Sequence, residues 1–145
     1  MTSPEKKPIS LPAPHSLHIS KSQSIWLAVF ALMAFLAVAF GAFGAHALQT
    51  MVNEKSLSWW HTGCQYMMYH ALAGCIASMF LEQFSSVRVA LWSFLIGSVF
   101  FSGSLFIMAL SGMTALGVVT PVGGFLFLLG WGWLIFVFSC FAYRT

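Results

Sequence analysis

Charge is nearly missing from this chain. Among 145 residues there are 6 Lys or Arg and 3 Asp or Glu. A soluble domain carries about 25% charged residues; here the figure is 6%. Acidic side chains are absent from four long apolar runs, at about 25–47, 59–81, 89–111 and 121–143. Those runs therefore hold no carboxylate pair for acid–base catalysis and no carboxylate to complete a triad around Ser102 or Ser104. Proline is confined almost wholly to the start, as Pro4, Pro8, Pro12 and Pro14, with Pro121 alone beyond them. Cysteine occurs only as Cys64, Cys75 and Cys140, without C-x-x-C spacing. Cys64 and Cys75 lie about 16 Å apart along one helix, too far to bridge each other. All three read as small apolar packing residues.

What is present is hydrophobic length. Each run matches the ~20 helical residues that cross a hydrocarbon core. The expected fold is an all-α membrane protein with four transmembrane helices in an up-down-up-down bundle, because short connections favour antiparallel neighbours. Residues 1–22 read as a disordered cytoplasmic tail: prolines, serines and lysines there offer too little apolar surface to fold. His15 and His18 belong to that tail. Residues 23–145 form the transmembrane domain. Ala45-His46-Ala47 resembles a signal cleavage site, but the preceding apolar run exceeds the usual 7–15 residues, so the first span is expected to be retained.

Orientation follows from basic residues. With four spans, Lys6, Lys7, Lys21, Arg88 and Arg144 share one side and Lys55 stands on the other. That bias puts both termini in the cytoplasm. Trp26, Trp92 and Tyr143 then fall at the cytoplasmic interface, and Trp59 and Trp60 at the outer one. Small residues at four-residue spacing, Ala37, Gly41 and Ala45, are expected to let the first helix approach a neighbour closely. Ser93/Gly97 and Ser98/Ser102 repeat that spacing in the third run. Thr120-Pro121 opens the fourth as a capping threonine and a proline at the first helical position.

The second run is the most polar. His61, Gln65 and Tyr69 form one row on a helix, and Thr62, Tyr66 and His70 the next. Polar groups do not face lipid cheaply, so this half of the helix is expected to face its neighbours. Counting inward from Trp59, His70 lies about 16 Å deep, near the bilayer midplane. Tyr69, Ser102 and Trp131 fall at similar depth and form a candidate polar layer with it. Two axial histidines can hold a haem, but no second histidine shares the depth of His70. His46, His61 and Cys64 lack a fourth metal ligand. No cofactor or metal is therefore expected, and His70 is expected to be a neutral ring hydrogen-bonded within the bundle.

Five motifs together resemble a known family. They are Gly41-Ala42-Phe43-Gly44-Ala45-His46, Tyr66-Met67-Met68-Tyr69-His70-Ala71-Leu72-Ala73, Phe101-Ser102-Gly103-Ser104-Leu105, Thr120-Pro121-Val122-Gly123-Gly124 and Leu129-Gly130-Trp131. In this order and spacing the chain is similar to the small membrane proteins typified by bacterial YgdD and eukaryotic transmembrane protein 256. The resemblance implies a four-span inner-membrane protein of a family without an assigned activity, cofactor or substrate. His46, His70, Ser102, Thr120 and Pro121 fall on its motifs and, with Gln65 and Tyr69, are the candidate functional residues. The expected function is a non-enzymatic accessory or interaction subunit of the cytoplasmic membrane. The alternative is a small oligomeric transporter or channel subunit using the polar layer around His70. The expected partners are the lipid bilayer and further copies or a larger membrane complex; nothing points to nucleic acid.

Overall fold

The structure, a computed structural model, describes residues 19–143. The proline-rich start, with His15 and His18, and Arg144 and Thr145 lie outside them. Within the described residues the chain is all-helical. Four long helices, α1 (Lys21–His46), α2 (Glu54–Met79), α3 (Arg88–Ser111) and α4 (Thr120–Ala142), are joined by three short 3-10 turns.

Local chemistry sets the ends. Ser20 and Gln23 form a reciprocal capping box, so α1 starts inside the stretch expected to be tail and ahead of the apolar run. Asn53 caps α2 by accepting from the Ser56 amide at 2.9 Å, which shortens the expected first loop. Helix α3 closes on Gly112 at φ 71°, a left-handed backbone that glycine adopts without a Cβ penalty. Thr120 does not cap α4 as expected. It sits at the first helical position, its hydroxyl 2.8 Å from that of Ser104 on α3.

Three helical segments, Lys21–Thr50, Ser85–Ser111 and Thr114–Ala142, are long and apolar enough to cross a membrane. They carry large exposed apolar side chains such as Phe35, Val38, Val99, Leu128 and Ile135. Contiguous apolar surface of that kind suits hydrocarbon rather than water.

Each helix packs closely on the next one in sequence, and α2 and α3 form the central pair. Lipid supplies no hydrophobic drive for this, so close approach and polar links must do it. Helix α1 presents Gln23, Trp26, Phe30, Met33, Ala37 and Gly44 as its buried face. These positions follow a seven-residue repeat, with the half-buried Phe40 completing it. A strict four-residue spacing drifts about 40° per step around a helix. Gly41 and Ala45 therefore rotate off the contact. A Cβ on Gly41 would meet nothing within 4 Å, whereas one on Gly44 would come within 2.6 Å of Trp60 Cδ1. The close approach belongs to Gly44. Between α3 and α4 it belongs to Gly97 and Gly123, since a Cβ on Gly123 would fall 2.7 Å from the Gly97 carbonyl oxygen.

Polar links pin several junctions. Gln23 Nε2 donates to the Met79 carbonyl at 2.9 Å, tying the start of α1 to the end of α2. Trp60 Nε1 donates to the Phe40 carbonyl at 2.7 Å, tying the start of α2 to the last third of α1. Trp133 Nε1 donates to the Ser86 carbonyl at 2.8 Å. Two apolar clusters fill the remaining space. The larger centres on Phe30, Leu91, Phe94 and Phe127, and the smaller on Leu48, Trp60 and Phe106.

Candidate functional site

His70 joins two helices through its ring. It lies in the middle of α2 and is buried. Its Nδ1 is 2.8 Å from the Tyr66 carbonyl oxygen, one turn back along the same helix. Its Nε2 accepts from Trp131 Nε1 on α4 at 3.2 Å. A carbonyl only accepts and an indole N–H only donates. The proton of the ring must therefore sit on Nδ1, and Nε2 is bare. Both nitrogens are satisfied in a neutral imidazole, as the depth of the residue in the second run led one to expect.

Aromatic rings cover the imidazole, while Trp131 itself stays exposed on the outer side of α4. Phe127, one turn before Trp131 on α4, stacks on the imidazole with 3.4 Å between centroids and 5° between planes. Phe94 of α3 approaches the same ring at 5.3 Å and Trp131 at 5.2 Å. Tyr66 stacks on Phe101 at 4.6 Å. Helices α2 and α4 thus meet through side chains across α3. The arrangement can hold helices in register. None of the residues in this arrangement is a carboxylate, and both imidazole nitrogens are engaged.

The polar layer expected around His70 is only partly assembled. Trp131 joins it. Ser102 is fully buried on α3, yet its hydroxyl has no hydrogen-bond partner, and the same holds for Ser98 one turn away. Tyr69 points outward, and so do Gln65 and His61. This corrects the expectation that the polar half of α2 faces its neighbours. Of that half only His70 is buried; the rest of the buried face of α2 is Trp60 and small residues, Ser56, Gly63, Cys64, Ala71, Gly74, Ala77 and Ser78. Small side chains let α1 and α3 approach; the bulkier polar row would hold them apart. His46 is exposed at the end of α1. Thr120 pairs with Ser104, and Pro121 is exposed in the first turn of α4. Among the described residues no three His, Cys, Asp or Glu gather as a metal site. Phe127, Phe94 and Ser104 were not expected at the site. Phe127 was findable, because it precedes Trp131 by one helical turn and so shares its face.

The family model described as a protein of unknown function (DUF423) matches residues 40–124. The chain belongs to the DUF423 family. Relatives carry the name UPF0382 membrane protein. YwdK of Bacillus subtilis is 42% identical over 110 residues, covering 74% of this chain and 89% of the relative. A Haemophilus influenzae relative is 41% identical over 107 residues, 73% of this chain and 86% of its own. The inner membrane protein YgdD of Escherichia coli is 36% identical over 111 residues, 72% and 82%. No solved structure matches. The chain is thus a membrane protein of a family whose activity is unassigned. The family segment contains His46, Gln65, Tyr69, His70, Ser102, Thr120 and Pro121, while Phe127 and Trp131 lie just beyond it.

Proposed function

We propose that this is a four-span protein of the cytoplasmic membrane, up-down-up-down with both termini inside, acting as a non-enzymatic accessory or interaction subunit. The fourth span is α2. Its 26 residues reach about 39 Å at 1.5 Å per residue, more than the ~30 Å hydrocarbon core. Its lower hydrophobicity comes from the outward polar row, which a protein neighbour would cover. The alternating direction draws support from the links between the start of α1 and the end of α2, and between Ser104 late in α3 and Thr120 at the start of α4. The orientation rests on the basic residues.

The observation that carries the interaction role is the use of the polar groups that link the helices. His70, Trp131, Gln23 and Trp60 all bond to other parts of the same fold, which leaves them to hold helices rather than to act on a substrate. Sizing of the tagged protein after gentle extraction tests this. An assembly larger than one chain is expected, and a lone monomer would count against the role. The alternative, an oligomeric transporter or channel subunit, would require His70 to release Trp131. Proteoliposome flux that responds to His70→Gln would favour it.

A further inference from the structure

The outward face of α2 carries a pattern that its polar chemistry alone does not explain. Thr62, Gln65, Tyr69, Leu72, Ile76 and Met79 follow 3-4-3-4-3 spacing. All are exposed except Thr62, which is half-buried with its hydroxyl bonded to the Ser58 carbonyl. That is the seam of a two-helix coiled coil: a seven-residue repeat that keeps one stripe against a partner. The inward face of α1 follows the same rule and is occupied, by α2. The α2 seam has no occupant among the described residues. Its first half is polar and its second half apolar, with no formal charge at any of the six positions.

We infer that two copies of this chain pair through α2, side by side, with each seam residue opposite its own counterpart. The inference rests on the reading of α2 as a span. Three features select a second copy. All copies of one chain enter the membrane in the same orientation, so their α2 helices are parallel. In a parallel pair the heptad sets each residue against itself. Only zero stagger then lays polar half on polar half and apolar half on apolar half. Gln65 suits that position, because its amide both donates and accepts and can pair with its own copy. A tyrosine hydroxyl has the same property. A Lys or Glu there would meet a like charge, and the seam has none. A polar side chain at one such position fixes register and favours a parallel pair. In lipid, an outward glutamine gains its hydrogen bonds only from another protein surface or from its own helix.

The test is disulfide cross-linking of the full chain in native membranes, with Cys64, Cys75 and Cys140 replaced by alanine. Single cysteines are placed at Gln65 and Leu72 on the seam, and at Leu128 and Val38 as outward controls on α4 and α1. A lipid-permeant oxidant should give a band of twice the chain mass from Gln65→Cys and Leu72→Cys and little from the controls. Gln65→Leu, with the cysteine at Leu72, should weaken pairing roughly three- to tenfold, the scale of a membrane hydrogen bond. Gln65→Asn, which keeps the amide, should restore most of it. Equal cross-linking at Leu128 and Leu72, or none on the seam, would overturn the pair. So would an adduct of Gln65→Cys with a different protein. Impermeant labelling of Asn53→Cys and Ser86→Cys in parallel separates the two failures. If both label from one side, the span reading has failed; if they label from opposite sides and the seam is silent, only the pairing has.

Discussion

Trp131 and His70 form one bond across two helices, and the polarity of that bond assigns the imidazole proton to Nδ1. A double-mutant cycle of His70→Leu and Trp131→Phe in detergent should show coupling of about 0.6 kcal/mol, the average for such bonds in membranes, and at most about 1.7. Strict additivity would mean that the bond stabilises nothing. His70→Gln should fold almost as well as wild type, since an amide can still accept from the indole, whereas His70→Leu should lose about 0.5–2 kcal/mol.

Gly44 and not Gly41 should be intolerant of bulk. Gly44→Leu forces a side chain into Trp60 and should cost about 1–3 kcal/mol by overpacking, with a lowered melting temperature in detergent. Gly41→Leu, with nothing within 4 Å of its Cβ, should melt close to wild type. A reversed order would relocate the α1–α2 contact.

Ser102 is expected to be dispensable for stability. Its buried hydroxyl lacks a partner, and removing an unsatisfied polar group is neutral or favourable. Ser102→Ala should therefore match or exceed the wild-type melting temperature. A loss of more than about 1 kcal/mol would show that the hydroxyl is bonded, most simply to the carbonyl one turn back.

Topology makes a separate forecast. In a cysteine-free background, Asn53→Cys should react with an impermeant thiol reagent added outside, and Ser86→Cys only after the membrane is opened. Outside labelling at Ser86 would reverse the orientation drawn from Lys6, Lys7, Lys21, Arg88 and Arg144.

The helices were legible because lipid demands uninterrupted apolar length, and nine charges placed at the edges marked the boundaries. The place of His70 in the middle of α2 was legible too, since it follows from where the second run begins and ends. Direction around a helix was not. His61, Gln65 and Tyr69 plainly share a face, but in a membrane the close-packed face is chosen by size as much as by polarity. Gly63, Gly74 and Ala77 took the interior and sent the polar row out. The Gly41 stripe failed for a related reason: four-residue spacing and the seven-residue repeat coincide for one turn and then diverge. The Ser20–Gln23 capping box, by contrast, was in plain sight and would have placed the start of α1.

The central pairing of α2 with α3 has a consequence for passage across the membrane. Four helices at the corners of a square surround an axis along which water could run. Here the closely packed pairs are α1–α2, α2–α3 and α3–α4, and side chains bridge α1 to α3 and α2 to α4, so the α2–α3 contact fills the middle. Glycine, serine and aromatic rings occupy the place where a lumen would lie. Any aqueous route would have to run between chains, along surfaces that a single copy turns towards lipid.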